Sequence, residues 1–310
     1  MMTDVMNASV TISLDAVIVA VTAEAPRVLT AERDGVDVLP GGALDPLRDV
    51  TLERGLRDRV EAASGLALGY VEQLYTFGDR AREARPTDVT RVVGVAYLAL
   101  VLEQAAAPMP GAHWRDVYAF LPWEDWRAGR PPAIAQALAP RLHAWAGDDA
   151  HRRERVVLTF GLDGAPWDPE RTLERYELLW EAGLAAEAPR AGAELPRASG
   201  RAMGLDHRRM LATALGRLRG KVRYRPVVFE LVPEAFTLTQ LQRVIEALAG
   251  MRLHMQNFRR LIENAGLVEA TGQRERATGG RPAVLFRFRR EVFRERPQPG
   301  VYYPGAWWSR

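Results

Sequence analysis

Between residues 236 and 290, apolar positions fall into two helical stripes followed by a strand alternation. Leu241, Val244, Ile245 and Leu248 recur at helical spacing behind Thr237 or Thr239, either of which can cap the helix. Gly250 closes it, because glycine takes the left-handed conformation of a helix C-terminus without a Cβ penalty. A second helix carries Phe258, Leu261 and Ile262 on its inner side and stops at Gly266. Gln256, Asn257, Arg259 and Arg260 are left on its outer side. Two strand-like runs follow, 267–270 and 283–289. In the second, Val284, Phe286 and Phe288 alternate with Leu285, Arg287 and Arg289. A Gly- and Arg-rich tongue, residues 272–282, joins the two runs.

Two helices around a short turn, then a basic hairpin, form the outline of a winged helix-turn-helix. Arg and Asn suit bidentate contacts with guanine and adenine edges, and the second helix carries both near its start. Gln256, Asn257, Arg259 and Arg260 are therefore the expected base-reading set. Thr239 and Gln240 at the start of the first helix complete the helical part of the DNA-binding set. Arg274, Arg276 and Arg281 on the tongue are expected to reach phosphates or a minor groove.

Charge sharpens this picture. The 310 residues carry a net of only +3, but residues 201–310 hold 21 basic and 9 acidic side chains, a net of +12. Residues 1–200 hold the remaining 21 basic and 30 acidic, a net of −9. A cationic C-terminal part beside an acidic N-terminal part fits a nucleic-acid binder with a separate second domain. The absence of cysteine excludes disulfides and cysteine-based metal sites or nucleophiles. The five histidines (113, 143, 151, 207 and 254) have no metal-ligand spacing, so no metal site is expected. The apolar run 16–21 is too short for a membrane span and lacks the basic flank of a signal peptide, which leaves the cytoplasm as the expected location.

The first half reads as strand (9–22), strand (36–39), a Gly41-Gly42 turn, helix (50–63), then strands 70–77 and 91–103. The last strand is almost uninterruptedly apolar and so expected to be central in its sheet. Beyond it come a loop at 104–122, a helix at 132–145, a strand at 155–160 and an amphipathic helix over 168–187. Residues 189–199 have the Pro, Gly, Ala and Ser content of a linker. A helix at 206–219 is expected to bury Leu211, Leu215 and Leu218 and to turn Arg208, Arg209, Arg217 and Arg219 outward, followed by a strand at 224–231.

This order resembles the Nudix fold. Anchored on Gly65-Leu66, the Nudix box puts its glutamate pair on Ala62 and Ala63, its Arg-Glu pair on Asp58 and Arg59, and its earlier glutamate on Val50. Gly42 fits with about two residues inserted. Glutamates at these places are hard oxygen ligands for magnesium at a diphosphate, and alanines cannot hold a metal. Asp58 with Glu61, and Asp49 with Glu53, share helix faces and are the carboxylates through which residual hydrolysis would have to run. No catalytic residues are assigned.

The segments QLYTFGDR (73–80) and RVVGVAYLAL (91–100) resemble ADP-ribose-type Nudix domains that serve as transcriptional sensors. Phe77 or Tyr97 is expected to stack on adenine, Arg80, Arg82 and Arg91 to meet a diphosphate, and Asp79 a ribose hydroxyl. From residue 206 to 289, DHRRMLATALGRLRG, NFRRLIENAGLVE and GGRPAVLFRFR resemble the Nudix-related regulators of NAD biosynthesis, the NrtR and NadQ type. The resemblance implies a dimeric repressor of NAD-synthesis genes. Its effector would be an adenine nucleotide (ATP, NAD or ADP-ribose), with no cofactor required.

The expected fold is α+β: an N-terminal Nudix-like α/β/α sandwich (residues 1–188, with a helical extension from about 123), a linker (189–204) and a C-terminal winged helix-turn-helix domain led by a connecting helix (205–310). Two other readings stay open. One is a Nudix hydrolase of ADP-ribose-like dinucleotides with a nucleic-acid- or protein-binding tail. The other makes the winged helix a protein-interaction module.

Overall fold

The computed structural model describes residues 9–22, 24–79, 90–102, 111–188, 197–275, 282–295 and 299–301. Strands β1 (Ser9–Thr22), β2 (Ala25–Arg33), β3 (Val36–Val38) and β4 (Gly41–Ala43) open the chain. Helix α1 (Leu52–Ser64) follows, then β5 (Tyr70–Phe77), β6 (Thr90–Leu100) and β7 (Ala112–Asp116). These strands make one sheet in the order β3-β2-β1-β6-β5, with β4 on β1 and β7 on β2. β1 and β6 run parallel at its centre, where both faces are covered and the strands are correspondingly apolar.

The two faces of this sheet bury different things. Leu14, Ala16 and Ile18 of β1 and Val95, Tyr97 and Ala99 of β6 pack against Leu56 and Val60 of α1. The alternate residues, Val17, Val19, Ala96, Leu98 and Leu100, belong to a larger core that runs without interruption into the C-terminal half. That core is built from α2 (Val117–Phe120), α3 (Ala139–Ala146), α4 (Ala150–Phe160), α5 (Thr172–Glu181), α6 (His207–Tyr224), α7 (Leu238–Ala249) and α8 (Met255–Ala265). A two-stranded wing, β8 (Val268–Glu275) and β9 (Ala283–Phe288), and the short α9 (Val292–Glu295) complete the described fold. No helix among the described residues is long and apolar enough to cross a membrane.

Several expectations change. The apolar run 155–160 is not a strand: α4 is capped by Asp149 and ended by left-handed Gly161. Val156, Thr159 and Phe160 are buried at helical spacing, and a run this short does not reveal its period. The expected strand 224–231 is a continuation of α6 to Tyr224, then a short 3-10 turn, Val227–Leu231, entered through Pro226. Phe236 takes the strand role instead, exchanging both backbone hydrogen bonds with Phe286 (2.9 and 2.8 Å). The helix expected at 132–145 breaks into a π-turn, Ile134–Leu138, and α3, because Pro140 has no N–H to offer the helical ladder.

Arg208 and Arg219, expected outside, are wholly buried. Arg208 donates to the carbonyls of Ser199 (2.6 Å) and Arg201 (3.1 Å) and pairs Glu187 (2.8 Å). Part of the expected linker is docked as well. The Arg201 N–H meets the Ala119 carbonyl at 2.8 Å, and Met203 is buried.

Arg219 belongs to an interior triad. The Glu124 carboxylate accepts hydrogen bonds from Arg175 (2.5 and 3.0 Å) and Arg219, and both guanidinium groups are fully buried. Burial pushes the Glu124 carboxyl up, and the two guanidinium groups pull it further down, below the ordinary glutamate value. Its contribution to stability is therefore present at neutral pH and lost as pH falls through the lowered value. Glu124→Gln is expected to cost about 3–5 kcal/mol in urea unfolding of the full chain, since two buried cations lose their counter-charge. Replacing the three together, Glu124→Leu, Arg175→Met and Arg219→Met, is expected to recover most of that loss. Wild-type stability in Glu124→Gln would show that the triad does not hold the halves together.

Candidate functional site

The helix-turn-helix is α7, the turn at Gly250 and α8. Thr237 caps α7 in a capping box: its hydroxyl accepts from the Gln240 N–H (3.1 Å) and its own N–H donates to the Gln240 carboxamide (2.7 Å). Gln240 is thus exposed but shared between capping and any outside contact, and Thr239 is half-exposed beside it. Gly250 has φ 70°, and a Cβ there would overlap the Glu124 carbonyl oxygen, so a left-handed turn and a close approach both require glycine.

Phe258 and Ile262 turn α8 inward, as its period requires. Gln256, Arg259 and Arg260 are exposed on the opposite side and Asn257 is half-buried between the two faces. Among the described residues these four side chains make no ion pair. No side chain caps α8 at His254, which suits the positive end of its dipole to phosphate. The wing is held to the end of this helix by Arg289, which donates to the Gly266 carbonyl (2.8 Å), and to the Val227–Leu231 turn by Phe288 stacked on Phe229 (ring centres 4.4 Å apart). Arg274 is exposed on β8. Arg276 and Arg281 lie outside the described residues.

The end of α7 is fastened to α6 and to the N-terminal half. Its last carbonyls lack helical partners and are met from across the core. Arg219 donates to the Leu248 carbonyl (3.0 Å) and Tyr118 to that of Ala247 (2.6 Å), while the Trp126 N–H meets the Gly250 carbonyl (2.7 Å). Burial pushes the Tyr118 hydroxyl up to about 12, so it remains a donor throughout the physiological range. Glu124, Tyr118 and Arg175 were invisible as a unit in the sequence, because nothing in their spacing marks residues that meet only through the fold.

In the Nudix-like half, Ala62 and Ala63 are exposed on α1. The nearby carboxylates are occupied by arginines: Asp58 by Arg54 (3.0 Å), Glu53 by Arg57 (2.9 Å) and Asp49 by Arg59 (2.7 Å). The hydrogen bond from Arg59 holds the Asp49 carboxyl below its ordinary range. Glu61 is exposed. Among the described residues no cluster of three or more metal-binding side chains forms.

Phe77 and Tyr97 are each 4% exposed and lie in the cores on opposite faces of the sheet. One ligand cannot stack on both. The guanidinium of Arg209 sits 5.3 Å from the centre of the Phe77 ring, and burial raises the Tyr97 hydroxyl. Asp79 and Arg91 are exposed at this end of the sheet, with Arg91 donating to the Gly78 carbonyl at 2.6 Å. Tyr75, which the sequence did not single out, is exposed there too and meets Phe77 edge to face. Arg80 and Arg82 lie outside the described residues.

Known proteins agree with this anatomy. Residues 228–288 match the family of NrtR DNA-binding winged helix domains. The ADPR responsive transcriptional repressor NtrR of Acinetobacter baylyi is 42% identical over 86 residues, 28% of this chain, so the matched part spans about a third of that relative (34%). The crystal structure of Shewanella oneidensis NrtR complexed with a 27mer DNA superposes with a TM-score of 0.56 at 23% identity, covering 91% of this chain and 94% of that one. A MutT/nudix family protein from Enterococcus faecalis gives a TM-score of 0.52 at 16% identity, covering 90% and 86%. At these identities the solved structures establish the fold, a Nudix domain followed by a winged helix. Within that fold, the family match falls on residues 228–288, which span α7, α8 and the wing.

Proposed function

We propose that this chain is a DNA-binding transcriptional repressor, acting as a homodimer, whose Nudix-like half senses an ADP-ribose-like nucleotide and hydrolyses nothing. The observation that carries the reading is the outer face of α8. Gln256, Arg259 and Arg260 are exposed side by side on the recognition helix of a domain matched to a DNA-binding family. Asn257 and the Arg274 wing extend that face, with Arg276 and Arg281 continuing the basic tongue. Thr239 and Gln240 supply backbone contacts from α7.

For the effector, ADP-ribose is the first choice among adenine nucleotides, in keeping with the name of the Acinetobacter relative. Arg91 and Asp79, with Arg80 and Arg82, supply charge for its diphosphate and ribose. Tyr75 offers the exposed ring that Phe77 and Tyr97 do not. The absence of hydrolysis follows from Ala62 and Ala63 standing in the paired-glutamate positions. Control of NAD-synthesis genes rests on the resemblance of residues 206–289.

In fluorescence anisotropy with a duplex selected by the protein itself, Arg259→Ala or Arg260→Ala is expected to cost about 1–3 kcal/mol and to relax preference at one base. Arg274→Ala is expected to weaken all sequences alike and to reduce the salt slope by about one. Folded variants that bind like wild type would place the interface elsewhere on the domain.

A ligand regulates only if it binds the DNA-competent and incompetent forms with different affinity. ADP-ribose is therefore expected to shift duplex affinity in the wild type and to lose that effect in Arg91→Ala. It is also expected to survive incubation with the protein and magnesium, as read by chromatography of the nucleotide. Turnover at ordinary enzyme rates would sink the non-enzymatic reading, and an unchanged affinity would sink the sensor.

A further inference from the structure

The turn between β1 and β2 carries Glu24 with a φ of 64°, in the left-handed region that costs a side-chain-bearing residue about 1–2 kcal/mol. Its carboxylate meets two arginines of the helix-turn-helix. Arg243 on α7 and Arg252 in the turn before α8 each lie 3.1 Å away. The Glu24 carbonyl accepts a further hydrogen bond from Arg127, which is itself held by Asp125 at 2.7 Å. Three cations, one from α7 and two from loops, thus converge on one strained turn residue.

Stability does not explain this arrangement. The Arg243 and Arg252 side chains are 55% and 53% exposed, and ion pairs that open to water contribute about 0–1 kcal/mol. A glycine or asparagine at position 24 would hold the turn with less strain.

The two arginines are also placed where DNA contacts are expected. Arg243 follows Thr239 and Gln240 by one helical turn, and these three are the positions of α7 that reach solvent. Arg252 stands just ahead of α8 and is aimed outward by the buried Glu246 at 2.8 Å. Glu246 is itself fixed by the Leu253 N–H (2.8 Å) and the Gln242 amide (2.9 Å), so the Nη1 of Arg252 donates both to a fixed anchor, Glu246, and to an exchangeable partner, Glu24.

We propose that Arg243 and Arg252 bind phosphodiester oxygens at the edge of the DNA interface, and that Glu24 competes with those phosphates for them. The inference rests on the DNA-binding reading above and extends it. A guanidinium exchanges a carboxylate for a phosphate with little change of geometry, because both accept its paired N–H groups. Glu24 belongs to a turn of the proposed sensor half, whereas Arg243 and Arg252 belong to the proposed DNA-binding half. A shift of the β1–β2 turn against α7 would free or recapture both arginines, which gives the first half a direct hold on duplex affinity.

The test measures anisotropy of a labelled mixed-sequence duplex of about 30 base pairs, long enough for two half-sites, with the full chain over a salt series. Phosphate contacts are blind to sequence, so this probe reads them directly. Glu24→Gln is expected to bind about threefold to tenfold tighter than wild type, the equivalent of releasing one or two exposed pairs. Glu24→Gly is expected to change affinity in the same direction and to melt no lower than wild type, since it relieves the left-handed backbone. Arg243→Ala and Arg252→Ala should each weaken binding and lower the salt slope by about 0.9. In the double arginine variant, Glu24→Gln should change nothing. If wild type binds the duplex and both Glu24 variants bind no tighter, the competition is refuted while the DNA-binding reading stands. If wild type binds no duplex even at low salt, the DNA-binding reading falls and takes this inference with it.

Discussion

One carboxylate, Glu124, sits in the interior between two arginines contributed by different helices, and the arrangement of the molecule follows from satisfying it. Taking three charges out of water carries a desolvation cost of several kcal/mol per ion, recovered only by close pairing and by further hydrogen bonds to the remaining N–H groups. The fold provides those bonds. Arg175 also donates to the carbonyls of Thr159 (3.1 Å) and Asp168 (2.9 Å), and Arg219 to those of Pro169 (3.0 Å), Glu124 (3.0 Å) and Leu248 (3.0 Å). Each bond fixes another segment. The helical region after the sheet, the long α6 and the end of α7 have one mutual arrangement in which no buried charge is left alone.

That constraint explains why the DNA-binding unit is mounted rigidly instead of hanging from a tether. α7 is at once the first helix of the helix-turn-helix and a cover for the second face of the sheet, so its apolar residues serve both halves. Packed interiors transmit displacement because they have no slack to absorb it. Through that shared core the sheet, α7 and the triad are in continuous contact. The same geometry brings the β1–β2 turn within reach of Arg243 and Arg252, adding an electrostatic path beside the mechanical one.

The Nudix-like half shows the opposite balance. Its shape is retained by ordinary means: parallel central strands, a capped α1 and two apolar faces. Its carboxylates are tied to arginines one helical turn or less from hydrolytic positions, and the rings expected to meet a nucleotide are spent on the core. What remains accessible at that end of the sheet among the described residues is one ring, Tyr75, with Asp79 and Arg91 beside it.

The elements legible from residue order alone are those whose signals are local. Thr237, Gly250 and Gly266 bracket α7 and α8, the 3.6-residue stripe assigns Phe258 inward and Arg259 outward, and alternation marks β9. Ala62 and Ala63 are equally legible, since a methyl group cannot ligate metal in any fold. Everything else depends on how those elements pack. An arginine on an amphipathic helix reads as solvent-facing, yet Arg208 and Arg219 lie inside because α6 is enclosed by both halves and finds carbonyls and carboxylates there. Phe77 and Tyr97 are eligible stacking rings by type, and the face Phe77 occupies depends on a bulge at Gln73/Tyr75 that no pattern announces. Glu24 lies more than 200 residues along the chain from Arg243 and Arg252. Side chains so far apart meet only when the whole fold has formed, because contacts of that range depend on every element packed between them.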